Sequence, residues 1–336
     1  MIENNELSVV VLAAGKGTRM KSAQAKVLHE VLFKPMLHHV LDAVAPLGPK
    51  RNVVIVGHQE VRVRESLKEY GVDVVVQKEQ LGTGHAVQMA ESAIPENNGM
   101  VLILCGDTPL ISTVSLQEMY AKHRAAKAHL TLMTTLLDDP AGYGRIISSA
   151  DSISAIVEEK EASEEQRKIR EVNAGIYLVD RTFLFEALAT VTPANTQGEF
   201  YLTDIVEYGA TTKRKVQKCV NSDPMQVLGV NSRVELESAN RQMRKQRNMS
   251  LMQKGITVHN SETVTVSLSA EIGVDTHLGQ NVMILGKTVI GKSCTIESGV
   301  NINNCKIGDH VVIGANSVLN NCIIDNNAQI EPLTCK

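Results

Sequence analysis

An aliphatic residue recurs every six positions in the last quarter of the chain, and this repeat restricts the fold more than any other feature. The repeated positions, interrupted by two five-residue steps, are Ile272, Leu278, Ile284, Ile290, Ile296, Ile302, Ile307, Ile313, Leu319, Ile324 and Ile330. Strands repeat every two residues and helices every 3.6, so neither explains this spacing. One short strand on each face of a triangular coil explains it. The repeat predicts a short left-handed parallel β-helix of hexapeptide repeats, with just over three coils.

The first 230 residues follow another pattern, in which apolar runs alternate with helical stretches. The runs "LSVVVLAA", "NVVIVG", "VDVVVQ" and "MVLILCGD" are continuous in Val, Ile and Leu. Such strands are covered on both faces, which is typical of a largely parallel sheet. This predicts an α/β, Rossmann-like doubly wound domain that binds ligands beyond the carboxyl ends of its strands. The stretch after Lys26 has helical periodicity, interrupted at Pro35.

Two changes of pattern divide the chain into three parts. Residues 1–230 form the α/β domain, 231–255 a polar linker helix, and 256–336 the β-helix. Glu235 and Glu237 dilute the basic residues of the linker helix, which favours a solvated face over a nucleic-acid surface.

Composition excludes several classes of function. The formal net charge is −3, aromatic residues make up 3% and Trp is absent, which argues against nucleic-acid and membrane-surface binding. The six cysteines are scattered, as in proteins of a reducing compartment. No apolar run approaches the roughly 20 residues that cross a bilayer. We therefore expect a soluble cytoplasmic protein with neither nucleic acid nor membrane as a partner.

The stretch "AAGKGTRM" follows the first apolar run and is a candidate anion-binding turn. Its glycines allow positive φ and let backbone N–H groups approach an anion, while Lys16 and Arg19 supply charge. Val10 and Met20 stand where a P-loop and a dinucleotide fingerprint need glycine. The residues favour phosphate binding, with a purely structural turn as the alternative.

Other positions allow two interpretations each. Lys26 is either a phosphate cation or a surface lysine. Gln77, before Gly82 and Thr83, either reads a nucleobase edge or caps a helix. Asp107 ends an apolar strand, where a carboxylate must be paired or metal-bound. Mg²⁺ binds one or two protein oxygens plus substrate phosphates, and a salt-bridged or capping Asp is the alternative.

Nine motifs in order resemble one family over about residues 7–330. They are "LAAGKGTRM", "AKVLH", "EQLGTGHA", "GDTPLI", "DDPAGYGRI", "IVEEKEA", "EVNAGIY", "GEFYLTDI" and "GVNSR". The chain resembles the N-acetylglucosamine-1-phosphate uridylyltransferase domain of the bifunctional bacterial enzyme that makes UDP-N-acetylglucosamine, a cell-wall precursor. The first motif alone would indicate only the sugar-nucleotidyltransferase superfamily.

The resemblance implies a role for each matching residue. Lys16 and Arg19 would hold the UTP phosphates, and Lys26 the phosphate of the sugar. Asp107 and Asn231 would hold Mg²⁺. The uridine pocket would consist of Leu12, Ala14, Gly15, Gln77, Gly82 and Thr83. N-acetylglucosamine 1-phosphate would contact Gly144, Glu158, Asn173, Tyr201 and Thr203. By resemblance to hexapeptide proteins, the β-helix would form a homotrimer.

The chemistry of that reaction suits these residue types. The second pKa of a phosphate monoester is about 6, so the attacking phosphate is largely dianionic at neutral pH and needs no general base. Aligning two anions and relieving charge on the α-phosphorus requires cations and backbone amides.

Two residues depart from the family pattern. Ala25 replaces a proline, which we expect to loosen the loop before Lys26, and Cys105 replaces a tyrosine, which removes a phenol that could touch the ligand. The β-helix of the bifunctional family continues for more coils, and this chain ends within a repeat at Lys336. We therefore expect a truncated β-helix without glucosamine-1-phosphate acetyltransferase activity.

Two other functions remain open from the sequence. One is a non-catalytic assembly or regulatory subunit, which the intact Lys16, Lys26 and Asp107 argue against. The other is a sister nucleotidyltransferase with another sugar or nucleotide, such as one that makes ADP-glucose. The motifs "EQLGTGHA" and "EVNAGIY" favour uridine and an N-acetylated sugar.

Overall fold

The computed structural model describes residues 7–96, 99–149 and 152–336, with the backbone alone at position 149. Contacts divide the chain into two compact units. The first contains the chain up to His29 together with Pro35–Arg233, and the second contains Glu30–Lys34 and Val234–Lys336. The predicted boundaries place residues 30–34 in the α/β domain, whereas the structure groups them with the second unit.

A nine-stranded mixed sheet forms the centre of the first unit. In chain order, the strands up to residue 220 are β1 (Leu7–Ala13), β2 (Glu30–Val31), β3 (Lys34–Pro35), β4 (Arg51–Val56), β5 (Asp73–Val76), β6 (Met100–Cys105), β7 (Leu130–Leu136), β8 (Arg145–Ser149), β9 (Ser152–Val157), β10 (Glu171–Asp180) and β11 (Val216–Val220). Strands β2 and β3 pair only with each other. The sheet order is β11-β7-β10-β6-β1-β4-β5, and β8 joins β9 to β10.

The strand order reverses beside β1. This strand is parallel to both of its neighbours, β4 and β6. The chain passes from β1 to β4 and β5 on one side and then crosses back to β6 on the other. Such a switch point opens a crevice at the carboxyl ends of the strands, where ligands bind in open α/β sheets. Here that crevice lies beyond Ala13 and Cys105, the last residues of β1 and β6.

Helices cover both faces of this sheet. In chain order, the α-helices of the described residues are α1 (Met36–Val44), α2 (Glu60–Ser66), α3 (Thr83–Met89), α4 (Thr113–Ala126), α5 (Glu164–Arg167), α6 (Arg181–Leu188), α7 (Asp204–Thr211), α8 (Pro224–Val227) and α9 (Arg233–Gln253). Val9 and Val11 pack into one apolar core and Val10 into a second. The continuous apolar strand β1 is therefore buried on both faces, as the sequence predicts.

The prediction of a helix before Pro35 is wrong. Lys26–Leu28 form one 3₁₀ turn, and helix α1 begins only at Met36. Between them the chain makes a hairpin turn with Leu32 and Phe33 at φ 47° and 66°. A right-handed helix cannot contain these two left-handed residues, and this excludes a helix between the 3₁₀ turn and Pro35. The interruption at Pro35 itself is as predicted, because proline lacks an N–H and disfavours the helical conformation in the residue before it.

The second unit is a left-handed parallel β-helix, preceded in the chain by α9. Its strands are β12 (Thr257–Val258), β13 (Thr265–Val266), β14 (Glu271–Ile272), β15 (His277–Leu278), β16 (Met283–Leu285), β17 (Val289–Ile290), β18 (Thr295–Ile296), β19 (Asn301–Asn303), β20 (Lys306–Ile307), β21 (Val312–Ile313), β22 (Val318–Asn320), β23 (Ile323–Ile324) and β24 (Gln329–Ile330). Every third strand pairs in parallel, which gives three sheets.

The repeated aliphatic residues lie where the periodicity predicts. Leu278, Ile284 and Ile302 are fully buried in one apolar core. The first strand of the coils, β12, begins at Thr257, close to the predicted start of the β-helix at residue 256. The eight-residue step from Val258 to Val266 departs from the six-residue repeat, which continues from Val266 to Ile272. In the described ranges, no helix combines the length and the apolar character that a membrane span requires.

Candidate active site

The turn after β1 places two cations at the crevice. Gly17 has φ 60° and ψ 40°, a left-handed conformation that an L-residue rarely adopts, and the 3₁₀ turn Thr18–Met20 follows it. A Cβ on Gly17 would lie 2.6 Å from the Cβ of Lys26, so this glycine packs directly against the lysine stem. Lys16 and Arg19 are exposed. The turn therefore exposes two cationic side chains, and its glycine packs against a third, that of Lys26.

Lys26, Asp107 and Asn231 form one polar cluster, which we call the Lys26 cluster. The Lys26 ammonium forms an ion pair with Oδ2 of Asp107, and the side chains are 15% and 12% exposed. Lys26 Nζ also donates to Oδ1 of Asn231 over 3.0 Å. Asn231 is oriented by its own Nδ2, which donates to the carbonyl of Gly229 over 2.9 Å. Two side-chain oxygens, from residues 124 positions apart in the sequence, thus contact the same ammonium group.

The loop before Lys26 is held by a residue that the sequence does not single out. Gln59 accepts a hydrogen bond from the Ala25 N–H over 3.1 Å and donates to the carbonyl of Ala23. Ala25 has φ −54°, which a proline ring would also impose. A side-chain amide 34 positions away thus restrains the loop that the loss of proline is expected to loosen. No local sequence signal marks Gln59.

Gln77 and the start of α3 form the other side of the crevice. Nε2 of Gln77 lies 3.0 Å from the Gly82 carbonyl oxygen and 3.0 Å from Nδ1 of His85. With His85 protonated on Nε2, both amide N–H groups have acceptors, so Oε1 is the group that remains to accept from a ligand. Gly82 has φ 113°, and a Cβ there would lie 2.5 Å from the Phe200 carbonyl oxygen. Only glycine fits at this position.

A cavity of about 430 Å³ unites these groups. Nine of the residues singled out from the sequence line it: Leu12, Ala14, Gly15, Lys16, Lys26, Gln77, Gly82, Thr83 and Asp107. Gln80 and Glu199 also line the cavity and were missed, although both lie inside quoted motifs, "EQLGTGHA" and "GEFYLTDI". Arg19 lies on the same turn but outside this lining, within the described part of the chain.

A second polar cluster contains the residues assigned to the sugar. Thr203 Oγ1 donates to Oε1 of Glu158 over 3.2 Å, and burial raises the pKa of the Glu158 carboxyl above its ordinary value. A Cβ on Gly144 would lie 3.5 Å from Oε2 of Glu158, and the Gly144 carbonyl accepts from the Asn173 N–H over 2.9 Å. Glu158, Thr203, Gly144 and Asn173 are thus brought together.

Buried phenols lie among the residues assigned to the sugar. Asn173 Nδ2 donates to the Tyr177 hydroxyl over 2.6 Å, and Gln197 donates to the Tyr201 hydroxyl. Burial raises the pKa of both phenols, so both stay neutral and can donate hydrogen bonds at physiological pH. The hydrogen bond that Tyr177 accepts from Asn173 is a contact that the sequence does not predict.

Cys105 connects the two clusters. It lines the cavity, and its Sγ lies 3.7 Å from the carbonyl oxygen of Gly175, two residues after Asn173. Burial, followed by the nearby Asp107 charge, raises the pKa of the Cys105 thiol to about 12. The thiol is therefore neutral, and its S–H can donate weakly to the Gly175 carbonyl oxygen.

The donor set of the Lys26 cluster suits a hard divalent cation. In the parts of the chain that the structure describes, no three His, Cys, Asp or Glu side chains are grouped for a metal ion. A carboxylate oxygen and an amide oxygen already contact one cationic group, the Lys26 ammonium. The same two oxygens could bind a metal ion in its place. Mg²⁺ often binds one or two protein oxygens and completes its shell with phosphates and water.

Comparisons with known proteins agree with this arrangement. Residues 9–173 match the family described as MobA-like NTP transferase domain, and residues 287–321 match the bacterial transferase hexapeptide family. The chain is 47% identical to a "Bifunctional protein GlmU" of Desulfotalea psychrophila over 331 residues, which covers 98% of both chains. A protein of the same name from Heliobacterium modesticaldum is 42% identical over 98% of this chain and 73% of its own length. The first unit is a nucleotidyltransferase, and the chain belongs to the family of bifunctional GlmU proteins.

Proposed function

We propose that this protein transfers UMP from UTP to N-acetylglucosamine 1-phosphate in a Mg²⁺-dependent reaction, releasing pyrophosphate and giving the cell-wall precursor UDP-N-acetylglucosamine. The observation that carries the proposal is the single cavity at the switch point of the sheet. Lys16, Lys26 and Asp107 line it together with Cys105, whose Sγ lies 3.7 Å from the carbonyl oxygen of Gly175, two residues after Asn173. Cations for two phosphates thus lie beside hydrogen-bonding groups for a sugar.

Uracil suits the nucleotide side of this cavity. The Oε1 atom of Gln77 can accept from N3–H of uracil, whereas N3 of cytosine is itself an acceptor and would leave both groups unsatisfied. Gly82 and Thr83 line the cavity together with Gln77 and would border the base, while the Phe200 carbonyl oxygen takes the place of a Cβ at position 82.

The phosphate chemistry needs alignment and charge neutralisation. Lys16 and the turn amides hold the triphosphate, and Lys26 positions the dianionic sugar phosphate for in-line attack on the α-phosphorus. Asp107 and Asn231 would hold Mg²⁺, which when bound neutralises charge on the phosphates. Arg19 contributes positive charge from the same turn.

Glu158 and its neighbours suit a sugar with several hydroxyl groups. A buried carboxylate with a raised pKa is costly to keep charged, and hydroxyl donors of the sugar would satisfy it. We expect Glu158→Gln to raise the KM for N-acetylglucosamine 1-phosphate about 10–100-fold, because a hydrogen bond to a charged group is lost. The KM for UTP should stay unchanged. Glu165→Gln, at an exposed carboxylate, is the matched control.

A substrate panel tests the proposal directly. Pyrophosphate release would be measured for UTP, CTP and ATP against N-acetylglucosamine, glucosamine and glucose 1-phosphates, with Mg²⁺ or with EDTA. We expect the highest kcat/KM for UTP with N-acetylglucosamine 1-phosphate, and only with Mg²⁺. A preference for ATP with glucose 1-phosphate would establish the sister enzyme instead. Asp107→Ala and Asn231→Ala should abolish turnover and leave the fold intact.

The β-helix is proposed to form a homotrimer. Val289 and Ile323 point outward from one of its sheets and are 40% and 71% exposed, so apolar surface remains to be covered. Light scattering after gel filtration should give three times the 36.6 kDa of the chain.

Two further expectations accompany the proposal. The six cysteines are free thiols, which suits the cytoplasm. The expected lack of glucosamine-1-phosphate acetyltransferase activity stays a prediction, and acetyl transfer from acetyl-coenzyme A by the pure chain would contradict it.

A further inference from the structure

Lys26 occupies the position that the proposed function gives to the metal ion. Its ammonium contacts both the carboxylate of Asp107 and the amide oxygen of Asn231, the same two oxygens that would hold Mg²⁺. The ion pair is largely buried, with side chains 15% and 12% exposed. Water therefore screens the lysine charge weakly, and a second cation approaching these oxygens would be repelled.

We propose, on the basis of that function, that Lys26 is a placeholder cation that competes with the divalent ion for Asp107 and Asn231. In the free protein the ammonium satisfies both oxygens. When a phosphate monoester enters the cavity, its dianion draws Lys26 away and leaves the oxygen pair to the metal. The protein thus binds a divalent ion more tightly once the sugar phosphate has bound.

The surroundings of Lys26 limit how far it can retreat without an anion. Its stem packs against Gly17, where even an added Cβ would lie 2.6 Å away, and its backbone belongs to the 3₁₀ turn Lys26–Leu28. The end of the side chain faces the cavity of about 430 Å³. A phosphate in that space provides the compensating charge that a buried ammonium needs when it leaves a carboxylate.

The competition predicts positive coupling between two ligands. If the sugar phosphate raises the affinity for the divalent ion, the divalent ion raises the affinity for the sugar phosphate by the same factor. Removing the ammonium should abolish most of this coupling, because the oxygen pair is then always accessible.

Binding of Mn²⁺, followed by electron paramagnetic resonance of the free ion, tests this without turnover. Lys26→Met should bind Mn²⁺ about tenfold or more tightly than the wild type, because a charge-assisted contact no longer has to be broken. Lys16→Met removes an equal charge from the same cavity lining and should change the affinity less than about threefold. Lys26→Gln serves as a second variant, and circular dichroism checks that each is folded.

Added N-acetylglucosamine 1-phosphate completes the experiment. It should tighten Mn²⁺ binding about tenfold in the wild type and less than threefold in Lys26→Met, after correction for Mn²⁺ bound by the sugar phosphate alone. Equal Mn²⁺ affinity in the wild type and both Lys26 variants would overturn the placeholder role. If Asp107→Asn leaves Mn²⁺ binding by Lys26→Met unchanged, the metal assignment of the proposed function fails as well.

Discussion

Gly17→Ala separates the two reasons for a glycine in the turn after β1. At φ 60° the alanine backbone costs about 1–2 kcal/mol. Its Cβ would also lie 2.6 Å from the Lys26 Cβ, which sits beside the backbone and cannot swing aside, and such overpacking costs about 1–3 kcal/mol. We therefore expect a free energy of unfolding lower by about 2–5 kcal/mol. Displacing Lys26 should also lower kcat/KM about 100-fold.

Gly198→Ala is the matched control. Gly198 has φ 66°, but nothing lies within 4 Å of an added Cβ, so it has the backbone strain without the contact. Urea denaturation should show a loss of about 1–2 kcal/mol for this variant, and pyrophosphate release should stay close to wild type. The reasoning is refuted if Gly17→Ala loses no more stability than Gly198→Ala and keeps kcat/KM within threefold of wild type.

Three further predictions concern other parts of the chain. Gln59→Ala removes both bonds to the loop before Lys26 and should raise the KM for the sugar phosphate. Ala25→Pro in the same chain should restore part of the loss, since φ is already −54°; no restoration would argue against the positioning role. Burial, then Glu207, raises the pKa of Asp204 from 3.8 to about 6, so its contribution to stability falls as pH rises from about 4 through 6. Asp204→Asn should remove that slope and add about 1 kcal/mol at pH 7, after allowance for its partial exposure; denaturation at pH 4, 5, 6 and 7 measures this, and parallel curves would contradict it. Leu278→Ala, in the β-helix core, should cost about 2–5 kcal/mol, whereas Leu268→Ala, at a side chain 39% exposed, should cost less than about 1 kcal/mol by thermal denaturation; equal losses would disprove the core assignment.

Local patterns predicted the elements of the site but not all of their contacts. The glycines of "AAGKGTRM" predict a turn that approaches an anion, and Gly17 has the left-handed φ that such a turn uses. Gln77 and Gly82 were singled out together, and they share a hydrogen bond. Gln59 could not be found this way, because no pattern distinguishes it from a surface amide. Tyr177 ends the quoted motif "EVNAGIY", but nothing local distinguishes it from a core phenol.

The helical periodicity before Pro35 shows the opposite failure. Apolar residues there recur at helical spacing, yet the chain forms a 3₁₀ turn and a hairpin. Leu32 donates its N–H to Asn240, 208 positions later, and that tertiary contact fixes a left-handed residue that local propensity disfavours. Periodicity records which side chains are buried, and several backbone paths can bury the same set.

The amino-acid pattern alone is enough to predict the architecture of both units and the position of the candidate anion-binding turn. A six-residue repeat and continuous apolar runs are local constraints that recur along the chain, so each can be recognised without knowing what lies opposite. The ion pair of Lys26 with Asp107 and its hydrogen bond to Asn231, 205 positions away, are seen only in the folded chain. Both contacts depend on strand order and on where two distant loops end, and no local pattern of burial or charge contains this information.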